Sequence, residues 1–284
     1  MQNKKFGTLY VVATPIGNLQ DMSLRAIETL KSVDKIAAED TRHSMLLLDH
    51  YSIKKPTLSL HEHNERDRIN SIIHTLQAGE SVALISDAGT PLINDPGYHI
   101  VRAAREAGMS VVPIPGACAA IAAISAAGLP TSRFTFEGFL PAKQEACRKR
   151  LSLLANETRT MIFYETPHRL MMALEVMAEI FGIERQCVVA RELTKIHETI
   201  LSDSLANMIK HFQTATKQIR GEFVICVAGV DEDAVVSEVF PEKVLDILLE
   251  ELPLKQAAAL ASKITGERKN VLYELALKKQ GSKQ

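Results

Sequence analysis

Cysteine is scarce in this chain and never clustered. Cys118, Cys147, Cys187 and Cys226 stand far apart and form no Cys-x-x-Cys pair. That spacing excludes a zinc ribbon or a disulfide framework and reads as reduced, buried thiols. An excess of charge is also missing. The formal net charge is −1, so the molecule as a whole has no pull toward a polyanion, and any nucleic-acid surface has to be a local patch. Apolar runs are too short and too interrupted to span a bilayer. The opening Met1-Gln-Asn-Lys-Lys-Phe-Gly7 lacks the apolar core of a secretion signal. The expectation is a soluble cytoplasmic protein that does not engage a membrane. Internal repeats and low-complexity tracts are absent as well.

What is present is ordinary globular composition, 46% hydrophobic and 24% charged over 284 residues, enough for two domains. Short apolar runs at Leu9–Ala13, Lys35–Ala38, Thr57–Leu60, Ser81–Ile85 and Val111–Ile114 alternate with helical patterns. Short buried strands separated by helices predict βαβ units and a parallel sheet over residues 1–127. Gly128-Leu-Pro-Thr131 reads as a hinge into a second α/β domain over 128–230. Its strand candidates are interleaved less regularly, which predicts a mixed sheet. Residues 231–284 read as a helical tail, with a helix–turn–helix pattern at Lys255–Ile264, Gly266 and Asn270–Leu277. From Leu254 onward the tail carries seven Lys or Arg against two Glu, a net charge of +5. Lys255, Lys263, Arg268, Lys269, Lys278 and Lys279 are placed to meet phosphates.

The most distinctive stretch is Val82-Ala-Leu-Ile-Ser-Asp-Ala-Gly-Thr-Pro-Leu-Ile-Asn-Asp-Pro-Gly97. A buried strand runs into an acid, two glycines and two prolines, the makings of a rigid ligand loop. In open α/β sheets ligands bind outside the carboxyl ends of strands, where this loop lies. Other strand ends are polar too. Thr14-Pro-Ile-Gly-Asn18 follows the first strand with a single glycine, so it is neither a Rossmann fingerprint nor a Walker loop. Glu39-Asp-Thr-Arg42 follows the second. His61 and His63 form an H-x-H pair near Glu65, but no third ligand stands at convincing spacing, and no metal is expected. His63, Asn64 and Arg66 read instead as phosphate or ribose contacts. Phe163-Tyr-Glu-Thr-Pro-His-Arg169, Arg191-Glu-Leu-Thr-Lys195 and Phe139-Leu-Pro-Ala-Lys143 end or follow strands of the second domain. So many polar strand ends point to one shared cleft.

The motifs Leu9-Tyr-Val-Val-Ala-Thr-Pro-Ile-Gly-Asn-Leu19, Ala38-Glu-Asp-Thr-Arg42, Ile85-Ser-Asp-Ala-Gly-Thr-Pro91, Asp95-Pro-Gly97, Phe163-Tyr-Glu165, Arg191-Glu-Leu-Thr-Lys195 and Gly221-Glu-Phe-Val224 resemble those of the small-subunit ribosomal RNA methyltransferase I family. That family sits in the tetrapyrrole-methylase-like superfamily, and the resemblance covers nearly the whole chain. It implies two α/β domains with S-adenosylmethionine in the cleft between them. It also implies 2′-O-methylation of a cytidine in the decoding region of 16S rRNA, within the 30S subunit, by a homodimer. Tetrapyrrole methylases proper carry a Gly-rich, acid-ended first loop. Thr14–Asn18 stands there instead, which argues against a porphyrinoid substrate.

With that cofactor, contacts are expected from Pro15 and Gly17, from Asp87, Ala88, Gly89 and Leu92, from Pro115, Gly116, Ala117 and Cys118, and from Tyr164, Glu165, Arg191 and Leu193. The substrate side is expected to use His63, Asn64, Arg66, His168, Arg169 and Lys269. A base or a cation favouring the alkoxide should assist the 2′-hydroxyl. Glu39, Asp40, Arg42, Lys143 and Arg191 are the candidates, and the residues alone do not choose among them. Two rival classes share these features: a small-molecule methyltransferase of porphyrinoid type, and a nucleic-acid-binding regulator that uses the basic tail.

Overall fold

The computed structural model describes residues 6–61, 64–231 and 241–281. Strands β1 (Thr8–Val12), β2 (Lys35–Ala38), β3 (Thr57–Ser59), β4 (Val82–Ile85) and β5 (Ser110–Ile114) form one sheet in the order β3-β2-β4-β1-β5. Every neighbouring pair in it is parallel. All four residues of β4 are buried, as its continuous apolar run requires of a strand covered on both faces. The helices between these strands are α1 (Leu24–Ser32), α2 (Thr41–His50), α3 (Glu65–Gln77) and α4 (Tyr98–Glu106). Ser23 caps α1 through its side chain, which accepts from Ala26 N.

Helix α2 is absent from the sequence expectation. Asp40 caps it by accepting from Arg42 N at 2.8 Å. The polar motif at the end of β2 is therefore partly a helix start, and its capping role is indistinguishable from a ligand motif in sequence.

After β5 the chain forms α5 (Ala119–Ala126) and enters a second sheet. Its strands are β6 (Phe134–Phe139), β7 (Thr160–Glu165), β8 (Gln186–Arg191), β9 (Thr199–Ser204) and β10 (Phe223–Val227), in the order β6-β7-β10-β8-β9. The pair β6 and β7 is parallel, and the other three pairs are antiparallel. The sheet is thus mixed, as the uneven spacing predicts. Helices α6 (Gln144–Ser152), α7 (Pro167–Phe181) and α8 (Leu205–Thr214) pack Leu151, Leu174, Met177 and Phe212 into a core with Phe163, Phe223 and Ile225 on the sheet. On the opposite face, Ala120, Ala123 and Ile124 of α5 pack on Ile162, Val188 and Val224.

Both sheets belong to one compact unit. The other unit holds the tail helices α9 (Pro241–Glu251), α10 (Leu254–Thr265) and α11 (Lys269–Gly281), together with Asn156–Arg159. The tail has its own small core of Leu245, Ala257, Ala258, Ala261, Leu272 and Ala276. Gly266 ends α10 in the left-handed conformation (φ +75°), the turn that the glycine in the helix–turn–helix pattern predicts. Among the described residues no helix is long and apolar enough to cross a membrane.

Candidate functional site

The parallel sheet reverses its winding around β1, because the connection from β4 to β5 passes over that strand. Loops leaving β1, β4 and β5 therefore splay at one place, the topological switch point where α/β folds bind ligands. The three loops are tied together there. Thr14 and Gly89 exchange backbone hydrogen bonds, Thr14 N to Gly89 O at 2.8 Å and Gly89 N to Thr14 O at 3.1 Å. The Thr90 hydroxyl donates to Ala117 O at 3.0 Å. Gly89 sits at φ +81°, and Leu92 and Asn94 also hold positive φ. Non-glycine residues at such angles cost on the order of 1 kcal/mol each and persist only where the surroundings hold them.

A cavity of about 340 Å³ opens between these loops and the second sheet. On one side it is lined by Ile16, Ala88, Gly89, Thr90, Asn94, Asp95 and Cys118. On the other stand Phe139, Tyr164, Glu165, Leu193 and the strand start Gly221–Val224. Tyr164 packs edge-on against Phe136 and Phe139, with centroids 4.9 and 5.7 Å away. Its hydroxyl accepts from Ala120 N at 3.1 Å. Burial pushes the Tyr164 phenol well above its ordinary range, with nearby Cys118 adding to the shift. This wall therefore presents a neutral aromatic surface.

Asp95, Glu165 and Glu222 are the acids among the lining residues, and of these Glu165 is the buried one. Its side chain is fully buried, and Arg169 Nε lies 2.9 Å from Oε1. Oε1 also accepts from Thr166 N at 2.7 Å, while Oε2 is buried with no partner. Desolvation raises the Glu165 carboxyl above its ordinary value despite the opposing pull of Thr166 and Arg169. A buried acceptor without a hydrogen-bond partner is costly, and the Arg169 charge beside Oε1 offsets part of that cost. The cavity is mostly apolar, with three acids and backbone edges in its lining, which suits a nucleoside-sized ligand bearing amine or hydroxyl donors.

Arg169 itself is occupied. Nε also reaches Thr166 Oγ1, Nη1 donates to Leu140 O at 3.2 Å, and the guanidinium lies over the Phe139 ring. Arg169→Ala is expected to destabilise the protein by about 3 kcal/mol at pH 7–8, because it strands a buried carboxylate. The sign with pH follows from the raised carboxyl. A folded-state value above the unfolded one makes stability fall as pH rises above the ordinary carboxylate range. Without Arg169 the carboxyl rises further, so the loss should be largest at neutral pH and shrink toward pH 5. Urea denaturation at several pH values measures it, and a pH-independent loss would show that packing alone is involved.

The other expected contacts divide. Ala88, Gly89, Cys118, Tyr164, Glu165 and Leu193 line the cavity. Pro15, Gly17, Asp87, Leu92, Pro115, Gly116, Ala117 and Arg191 are not among its lining residues. Several of these shape the loops instead. Asp87 accepts from Asp40 N at 3.1 Å, and Ala117 O receives the Thr90 hydroxyl. Gly116 sits so close to Ala13 that an added Cβ would lie 2.9 Å from the Ala13 Cβ. Gly17 approaches Thr194 and Lys195, and Asn18 N donates to Thr194 Oγ1 at 3.1 Å, joining the first loop to the loop after β8. Lys195 in turn bridges Glu192 and Glu222 at 2.9 and 3.0 Å.

None of Glu39, Asp40, Arg42, Lys143 and Arg191 lines the cavity. Asp40 is paired with Arg42 on the surface, and the Arg42 side chain holds its carboxyl low, at about 2. Such a carboxylate is a weak base. The Arg191 guanidinium donates to Arg220 O at 2.9 Å. Lys143 is exposed at the start of α6, and His168 is exposed at the start of α7. Asn64 closes the turn before α3, accepting from His61 N and donating to Ser59 O. Lys269 is exposed in the tail unit, and His63 lies outside the described residues.

Sequence reasoning passed over Ile16, Asn94, Asp95, Phe139 and Gly221–Val224 as contacts. Asp95-Pro-Gly97 was a visible turn signal. Gly221-Glu-Phe-Val224 stands out in sequence only as a family motif, because its approach to the cavity follows from antiparallel pairing with β7 and β8.

Comparison with known proteins adds a second line. A family profile described as tetrapyrrole (corrin/porphyrin) methylases matches residues 8–209, and one described as RsmI C-terminal HTH domain matches 237–280. The chain is 56% identical over 279 residues to ribosomal RNA small subunit methyltransferase I of Pseudomonas aeruginosa, covering 97% of this chain and 98% of that protein. It is 51% identical to the protein of the same name from Haemophilus influenzae, with 95% and 96% covered. Among solved structures, uroporphyrin-III-C-methyltransferase from Thermus thermophilus superposes with a TM-score of 0.53 at 18% identity, over 78% of this chain and 94% of that one. That likeness establishes the fold.

Proposed function

The chain belongs to the tetrapyrrole methylase family, within its ribosomal RNA small subunit methyltransferase I branch, and on that premise we propose that it methylates small-subunit ribosomal RNA with S-adenosylmethionine as donor. The acceptor in this reading is the 2′-hydroxyl of a cytidine ribose in the decoding region of 16S rRNA. The enzyme works on the 30S subunit as a cytoplasmic homodimer. Residues 1–127 and 128–230 act as the two α/β domains that enclose the donor, and 231–284 act as an RNA-binding tail.

The single observation that carries the reading is the mostly apolar cavity at the switch point, with Asp95, Glu165 and Glu222 among its lining residues. S-adenosylmethionine fits that lining, since its amine and hydroxyl donors suit acids and backbone carbonyls and its adenine suits apolar walls. When bound, it supplies a methyl group already activated on a sulfonium. The chain then has to bind, orient and exclude water. Ala88, Gly89, Cys118, Tyr164 and Leu193 supply backbone edges and apolar walls. Positioning of this kind accounts for much of the acceleration in a displacement whose leaving group needs no further activation.

Turnover of radiolabelled S-adenosylmethionine on 30S subunits, naked rRNA and a porphyrinoid panel tests the reading. Label is expected in rRNA as 2′-O-methylcytidine and in no porphyrinoid. Label in a porphyrinoid alone would overturn it. Chelator treatment is expected to leave turnover on a short RNA substrate unchanged. Among the described residues, no group of three or more His, Cys, Asp or Glu comes together to hold a metal ion. Loss of activity restored by one divalent ion would contradict that expectation.

A further inference from the structure

Strand β6 is irregular at the point where it reaches the cavity. Phe136 stands opposite Ile162, but Gly138 stands opposite Phe163 and Phe139 opposite Tyr164, so Glu137 is an extra residue in the ladder. Gly138 takes up this bulge at φ +67°, a conformation that favours glycine. In an unbroken strand residues 136 and 139 would point to opposite faces of the sheet. The bulge instead brings both rings against Tyr164, and Phe139 joins the cavity wall with 44% of its surface open. The loop after β4 comes down on the same spot, since a Cβ at Gly138 would lie 2.8 Å from Asn94 Oδ1.

The ring so presented is held by the pair of Glu165 and Arg169. The Arg169 guanidinium lies over the Phe139 ring, 5.7 Å from its centroid. Its Nη1 donates to the carbonyl of Leu140, the next residue in the chain, at 3.2 Å, and its Nε lies 2.9 Å from Glu165 Oε1. One planar group thus grips both the ring and the peptide after it, and that group is anchored to the last residue of β7. A buried ion pair is a weak source of stability, because apolar side chains of similar volume often serve as well. What this pair supplies is direction. We propose that Phe139 is a contact residue for the donor, and that Arg169, anchored by Glu165, is the positioning residue that holds the ring on the cavity wall. This rests on the reading that the cavity holds S-adenosylmethionine.

The lining favours the donor over RNA as the partner of this ring. Among the described residues, those lining the cavity include three acids and no Lys or Arg, which suits a cationic sulfonium and repels a phosphate backbone. The donor brings a planar base and a sulfonium, and both bind well to aromatic rings. Phe139 and Tyr164 meet at 66° and form an aromatic corner for such a ligand. Arg169 is not a lining residue, so it acts on the ligand through Phe139. A ring already fixed spares the ordering that a loose one would need on binding, so the effect of the pair should appear in donor affinity.

The test uses the full-length protein, with S-adenosylmethionine binding by calorimetry and thermal melting of every variant. Phe139→Ala is expected to weaken donor binding about tenfold. Glu165→Gln/Arg169→Met removes both charges and keeps an acceptor for Thr166 N. It should melt cooperatively near the wild-type temperature, yet bind the donor about fivefold more weakly. Arg169→Lys keeps a charge beside Glu165 but has no planar fork to hold Leu140 O as well, and it should show the same loss of about fivefold. Adding Phe139→Ala to either background should cost about twofold rather than tenfold, because the ring is already loose there. A double variant that fails to fold leaves the cycle to Arg169→Lys. Phe139→Ala that binds the donor normally overturns the proposal, and a loss confined to 30S subunit binding would assign the ring to the RNA and overturn it too. So would a folded Arg169→Lys protein with wild-type donor affinity, or losses that simply multiply when Phe139→Ala is added. Wild-type protein that shows no donor binding would instead overturn the underlying reading of the cavity.

Discussion

Gly89→Pro is expected to yield a folded protein that no longer binds S-adenosylmethionine measurably. Gly89 holds φ at +81°, whereas proline is confined near −65°. Its N–H also donates to Thr14 O, one half of the two-way bridge that ties the loop after β4 to the loop after β1. Proline removes that donor and forces the loop off the bridge, so the cavity wall formed by Ala88, Gly89 and Thr90 is lost. The sheet itself ends at Ile85, before the substitution, and its core should stay packed. Calorimetry should show at least a 100-fold loss of affinity, while thermal melting remains cooperative. Gly89→Ala is the graded control. Its Cβ would meet Ile16 Cγ2 at 3.3 Å in a left-handed position, a strain of about 1 kcal/mol, and affinity should fall about tenfold. Unchanged affinity in a folded Gly89→Pro protein would exclude this cavity as the donor site.

Deleting the chain from Asp231 onward should weaken binding to 30S subunits about 10- to 100-fold and flatten its salt dependence. Lys255, Lys263, Arg268 and Lys269 are exposed on helices that pack around their own apolar core. For every phosphate that the truncated protein no longer neutralises, the slope of log affinity against log salt should fall by about 0.7–0.9. Donor affinity should stay within about twofold, because the donor cavity is lined entirely by residues 16–224. A folded truncated enzyme with unchanged KM for subunits and unchanged salt slope would show that the tail does not bind RNA. These cations are expected to position the RNA rather than read it, so the weakening should be similar on rRNA fragments of unrelated sequence.

Local pattern was a good guide wherever burial is set by neighbours in the chain. The apolar run of β4 reads as a strand because all four of its residues are covered. The parallel first sheet follows from strands separated by helices, and the glycine after α10 marks a helix end in the left-handed conformation. The loop from Ser86 to Gly97 announced itself through residues that restrict or free the backbone, and it does line the cavity. Helix α2 escaped because Asp40 both caps a helix and looks like a ligand acid.

The sequence by itself determined the class of fold, the family, the rigid loop and the basic helical tail, because each is written in short-range periodicity, turn chemistry or charge. Only the tertiary structure decided which polar strand ends meet. The order β3-β2-β4-β1-β5 places the loops of β1, β4 and β5 together although they lie up to about a hundred residues apart in the chain. Antiparallel pairing of β10 brings the strand start at Gly221 to the same cavity. Tertiary packing also decided which charges remain available. Arg169 is taken up by Glu165 and Leu140 O, Arg191 by Arg220 O, and Asp40 by Arg42. The physical reason is that a charged side chain can take part in chemistry only where its neighbours in space leave it facing a cavity, and those neighbours are chosen by strand order rather than by sequence spacing.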